Sequence, residues 1–87
     1  MWGSEAVSET HVHEFASSAI TRALYSEASA TLDIWYKGGD RYRYFDVPFV
    51  VYEALVAAAS AGEYVNREIK PHYPYEIEPR RRRFRPD

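Results

Sequence analysis

Between positions 35 and 45 the chain sets Trp35, Lys37, Arg41, Arg43 and Phe45 on alternate residues. Aromatic rings beside cationic side chains are the chemistry of single-stranded nucleic-acid binding. The rings stack on bases, at about 1–3 kcal/mol per base, and the cations follow the phosphates. The same residue types also serve structure. A Trp–Arg cation–π pair stiffens a hairpin by about 0.5–1 kcal/mol, and rings such as Trp35 and Phe45 also suit cover by another segment or a second subunit. A second basic group closes the chain, where Arg80, Arg81, Arg82, Arg83 and Arg85 fall within "RRRRFR". Five phosphate contacts there would make log K fall with log salt at a slope of about −4.5. Pairing with the chain's own acids, or plain solvation, is the other use of such a run.

Other chemistry finds less support. His11 and His13 alternate as strand neighbours and Glu14 stands beside them, but no third metal ligand is placed by spacing. They read as solvent-exposed histidines, and no metal or cofactor is expected. His72 has no visible partner. Ser17 and Ser18 lack a nucleophile elbow or an assigned base. Gly38-Gly39 precedes no helix, so it is not a phosphate loop. No catalytic constellation emerges, and the chain reads as a non-enzyme.

With 87 residues the chain is long enough for one domain with a modest core. Apolar residues make up 46% and tyrosine occurs 8 times, enough for a folded core rather than disorder. Cysteine is absent, which removes disulfides and thiolate metal sites and fits a reducing compartment. The opening "MWGSEAVSETHVHEF" carries acids and no apolar run, unlike a signal peptide. No stretch approaches the roughly 20 apolar residues of a membrane span, so a soluble cytoplasmic protein is expected. The net charge of −2 conceals an asymmetry: residues 1–79 hold six bases against twelve acids, and residues 80–87 hold five arginines against Asp87. Electrostatic attraction of nucleic acid must therefore come from the tail or from local clustering.

These side chains need elements to hold them. "AITRALYSEA" reads as a strand with Ile20, Arg22 and Leu24 on one face and Ala19, Thr21, Ala23 and Tyr25 on the other. "TLDIWYK" and "RYRYFDV" read as a hairpin. A three-residue loop of Gly38, Gly39 and Asp40 sorts its two sides cleanly, opposing Tyr36 to Tyr42, Ile34 to Tyr44 and Trp35 to Arg43. One side then carries Leu32, Ile34, Tyr36, Tyr42 and Tyr44, and the other carries Asp33, Trp35, Lys37, Arg41, Arg43 and Phe45. On this register Tyr42 and Tyr44 are core rather than base-stacking residues. Pro48 opens a helix over about residues 48–61 with Val51, Tyr52, Leu55, Val56 and Ala59 as its apolar stripe. Gly62 is expected as its left-handed stop. Tyr64 and Ile69 anchor a short turn, and Tyr73, Tyr75 and Ile77 alternate as an extended strip that Pro71, Pro74 and Pro79 confine to an edge.

The pieces "SSAI", "LYSEASATLDIWYKGGDRYRYFDVP", "VYEALVAAASAGEYVNREI" and "YPY", in that order, resemble the KTSC domain. This short bacterial domain stands alone or at the C-terminus of some lysyl-tRNA synthetases. The resemblance runs from about Phe15 to Tyr75. It includes the central Tyr42-Arg43-Tyr44, the Val47-Pro48 junction and the Ser60-x-Gly62-x-Tyr64 run, so Tyr42, Tyr44, Pro48, Gly62 and Tyr64 are read as structural motif residues. It implies a domain of undetermined function for which RNA binding has been suggested from its synthetase setting. It brings no catalytic residue.

The expected fold is α+β: an antiparallel meander of three strands, or four, with one helix across one face and a short C-terminal extension. Residues 1–14 are expected as a flexible segment, 15–78 as the domain and 79–87 as a basic flexible tail. The expected role is a non-catalytic binding module. RNA, tRNA-like or single-stranded, is the expected partner of Trp35, Lys37, Arg41, Arg43, Phe45 and the tail arginines. A protein partner or a second copy is the competing expectation.

Overall fold

The computed structural model describes residues 10–77. Strands β1 (Thr10–Glu14), β2 (Ile20–Ser26), β3 (Thr31–Tyr36), β4 (Arg41–Tyr44) and β5 (Tyr75–Ile77) form one antiparallel sheet in chain order. Between β4 and β5 lie helix α1 (Phe49–Ala57) and a second helix, α2 (Ala61–Tyr64), which continues as a π-helical turn over Val65–Ile69. The α+β class expected from the sequence holds, with five strands rather than three or four and two short helices rather than one.

Alternation explains the sheet. In β3 and β4, Leu32, Ile34 and Tyr44 point inward and are fully buried. Ile20, Leu55, Val47, Val65 and Ile69 join them at zero exposure, and Tyr52 packs beside them at 7%. Each fully buried aliphatic side chain contributes about 1.5–3 kcal/mol. Tyr25 reaches across this core and donates its hydroxyl proton to the Val47 carbonyl.

The β3–β4 loop is odd, as the sorting argument requires, but it holds Lys37, Gly38 and Gly39. The Tyr36 N–H donates to the Asp40 carbonyl (2.9 Å) and the Gly39 N–H to the Tyr36 carbonyl (2.9 Å), with Gly39 at φ 101°. The expected pairs are therefore displaced by two residues: Ile34 opposes Tyr42, Leu32 opposes Tyr44, Trp35 opposes Arg41 and Asp33 opposes Arg43. The faces survive because a shift of two preserves parity. In β2, Ile20 opposes Tyr36 while Arg22 opposes Trp35, so a bulge at Thr21 inserts one residue. It swings Ile20 onto the core side with Ala23 and Tyr25, against the expected grouping with Arg22 and Leu24.

Residues 10–14, expected to be flexible, pair along β2 from Thr10 opposite Ser26 to Glu14 opposite Arg22. Pro48, expected as the first helical residue, instead takes the extended N-cap position before α1 starts at Phe49, and the helix ends at Ala57 with Ala58 extended. Ser60 then caps α2, its hydroxyl accepting from the Glu63 N–H at 3.4 Å. Gly62 lies inside α2 instead of stopping a helix; a Cβ there would stand 3.0 Å from the Ala19 Cβ. Its lack of a side chain lets α2 close on the segment entering β2. No helix among the described residues is long and apolar enough to cross a membrane.

Candidate functional site

The helices cover one face of the sheet, and the other face presents two cross-strand rows. One runs Glu14, Arg22, Trp35, Arg41 and the next Val12, Leu24, Asp33, Arg43, Glu76. Alternation places these residues outward for the same reason that it places the tyrosines of β4 inward.

Trp35 is half-buried by cations. The Arg22 guanidinium carbon stands 4.4 Å from its ring and that of Arg41 5.7 Å. Arg22 comes from β2, and the bulge at Thr21 sets it directly opposite Trp35. Sequence reasoning gave Trp35 to Arg43 instead. Arg43 is committed elsewhere: its Nε and Nη2 donate to the two Asp33 carboxylate oxygens at 2.8 and 3.0 Å. Arg41 Nη1 lies 3.8 Å from the same carboxylate. Asp33 is thereby 5% exposed although it sits on the uncovered face. Two arginines that looked like phosphate ligands thus sandwich an internal anion, and the two rows together hold three arginines and three carboxylates.

The remaining expected site residues disperse. Lys37 is exposed in the hairpin loop, its N–H donating to the Ala19 carbonyl at 2.9 Å. Phe45 follows β4, half-buried, with its N–H on the Pro74 carbonyl at 3.0 Å. Arg80, Arg81, Arg82, Arg83 and Arg85 lie outside the described residues. Arg22, Val12 and Leu24 were missed as members of this face. Their outward alternation in "THVHE" and "TRAL" was the available signal.

The inward aromatics form two groups. Near β1, His11 packs on Phe49 (4.8 Å between centroids) and on Tyr52 (5.9 Å), and Tyr25 stacks on Tyr52 (5.6 Å). His11 Nε2 meets Glu27 Oε2 at 2.6 Å, so this histidine is half-buried and partnered rather than solvent-exposed. Among the described residues no three His, Asp or Glu side chains gather as a metal site. Near β5, the hydroxyls of Tyr36 and Tyr44 lie 3.2 Å apart. Burial raises the pKa of Tyr44, and its hydrogen bond to Tyr36 adds to the effect. Tyr36 is raised as well, chiefly by burial.

The family model of the KTSC domain matches residues 16–73. A protein of Tsukamurella paurometabola is 42% identical over 57 residues, covering 66% of this chain and 85% of that protein. The crystal structure of a KTSC domain protein from Yersinia pestis resembles this one with a TM-score of 0.72 at 23% identity, over 79% of this chain and 97% of that chain. The matched residues begin after β1 and stop before β5, so they take in the three central strands and the helices, and the two edge strands lie outside them.

Proposed function

This chain belongs to the KTSC domain family, and we propose that it is a cytoplasmic, non-catalytic binding module that takes single-stranded RNA, including unpaired tRNA segments, on the uncovered face of its sheet. The observation that carries this reading is Trp35 on a helix-free sheet face between the guanidinium groups of Arg22 and Arg41, at 4.4 and 5.7 Å. Planar cations and an indole in register extend into a stack with nucleobases, which every base can join. Three carboxylates balance the three arginines of the face, so its contribution is stacking. Long-range attraction falls to residues 80–87, where five arginines meet one acid.

The test is a titration of the isotope-labelled chain with short single-stranded RNA at low and moderate salt. Shifts of the Trp35 indole that survive added salt are expected, and Trp35→Ala lowers affinity about tenfold. Removing residues 80–87 flattens the salt dependence and leaves the Trp35 contact in place. Shifts confined to Arg80–Arg85 and erased by salt would sink the reading.

A second reading is self-association, favoured by Val12, 54% exposed on edge strand β1 beside Leu24. It predicts a mass by light scattering that rises with concentration, ignores the tail and falls to the monomer with Val12→Lys.

A further inference from the structure

The open face uses only the outward half of β4. Its inward half meets another cluster where β5 closes the sheet. The Tyr36 and Tyr42 rings meet edge to face at 4.7 Å, and Tyr42 and Tyr75 stack nearly parallel, 5.3 Å apart and 19° between planes. Lys70 Nζ stands over Tyr42 at 5.2 Å and over Tyr36 at 6.0 Å. The π-helical turn sets it there. Val65 and Ile69 are fully buried, and the Lys70 N–H donates to the Val65 carbonyl at 2.8 Å, a wider turn than an α-helix makes. Such turns recur at functional sites, where they re-aim a side chain.

Three properties distinguish this corner from ordinary core. It opens to solvent: Tyr75 is 41% exposed, and Tyr36, Tyr42 and Lys70 are half-buried. Lys70 rests on the two rings, and no carboxylate among the described residues pairs with it. Finally, the half-buried Tyr36 brings a hydroxyl to this rim, 3.2 Å from that of the fully buried Tyr44, and a phenol proton there can be given to an incoming anion. Either hydroxyl can donate in that pair; in the arrangement where Tyr44 donates, the Tyr36 proton is left for a ligand oxygen.

We propose that this corner is a second binding site, for one nucleotide, whose base stacks on Tyr75 and whose phosphate meets the Lys70 ammonium and the Tyr36 hydroxyl. The proposal deepens the RNA reading of the open face. Tyr75 is in register with Leu32 through Tyr44, so it lies two strand spacings across and three residues along from Trp35, about 14 Å, on the opposite face. A strand of several nucleotides that turns over the β5 edge reaches both. The sequence then continues from β5 toward the arginines at 80–85.

The test uses the full chain with two probes, uridine monophosphate and an oligouridylate of about eight nucleotides, following the Trp35 indole, the tyrosine rings and the Lys70 ammonium by NMR. With the oligonucleotide both groups are expected to shift, and with the mononucleotide at high concentration the corner shifts. Tyr75→Ala and Lys70→Gln each weaken the oligonucleotide about three- to tenfold, and Tyr75→Phe does not. If Tyr75→Ala fails to fold, the ring shifts of the unaltered chain decide. Oligonucleotide shifts at Trp35 with Tyr75, Tyr36 and Lys70 unmoved overturn the corner and leave the open face standing. Shifts at the corner without Trp35 support the corner and overturn the open face. A chain that moves at neither overturns both.

Discussion

Strand β4 serves two faces that use burial in opposite ways. Inward, Tyr42 and Tyr44 join a helix-covered face in which Tyr44 is fully buried and its hydroxyl is matched to that of Tyr36. Outward, Arg41 and Arg43 flank a carboxylate that is nearly as buried as the core, yet no helix lies over them. The inner face excludes water with apolar volume. The outer one shields Asp33 with guanidinium groups that keep their own exposed surface. The first arrangement holds the chain together, and the second leaves a charged, planar surface that no helix covers. Damage to the two faces should therefore separate into lost stability and lost binding.

The largest expected effect is on the inner face. Tyr44→Ala opens a cavity and should cost about 3–5 kcal/mol, seen as a loss of the urea unfolding midpoint. A cost under about 1 kcal/mol would mean that the tyrosine motif is not core. Alkali offers a second break. The folded pKa of Tyr44 lies above the unfolded value, so the folded chain holds a proton that the unfolded chain has released. Stability should be level below about pH 10 and fall above it by about 1.4 kcal/mol per pH unit for each such proton. Tyr44→Phe should shallow that decline, and an unchanged slope would remove Tyr44 as its source.

On the outer face the effects shrink. Asp33→Ala leaves Arg43 without its two carboxylate bonds and should cost about 1–2 kcal/mol, less than a fully buried pair because Arg43 remains partly hydrated. Trp35→Ala should cost no more than about 1 kcal/mol in unfolding experiments, while it weakens RNA about tenfold. Equal losses of stability from Trp35→Ala and Tyr44→Ala would erase the distinction between the faces.

The sorting of residues into these faces was legible, because alternation in "TLDIWY" and "RYRY" has a period of two and an odd loop keeps it. Register was not legible by the same argument. Loops of 37–39 and 38–40 give identical faces, and only the hydrogen bonds around Tyr36 and Asp40 distinguish them. That one step decides whether Trp35 or Asp33 meets Arg43, so the surface was readable and its pairing was not. The bulge at Thr21 hid for a related reason: an inserted residue changes parity without any residue type that announces it. The break after Ala57 lies in an alanine-rich run with no glycine or proline before it. Ser60 and Glu63 form a capping signal that the apolar stripe overrode. β1 carries only one apolar residue in "THVHE", so its pairing had little hydrophobic trace.

The order of the sheet has a consequence for how it opens. Strands β1 to β4 are joined by short connections, whereas Tyr44 meets Tyr75 only after both helices have been traversed. β5 is three residues long and exposed at each of them. Its amides should exchange with solvent first, through local unzipping that leaves the central meander closed. A nucleotide held between Tyr75 and Lys70 would slow that exchange at one edge of the molecule, making β5 a latch whose closure reports occupancy.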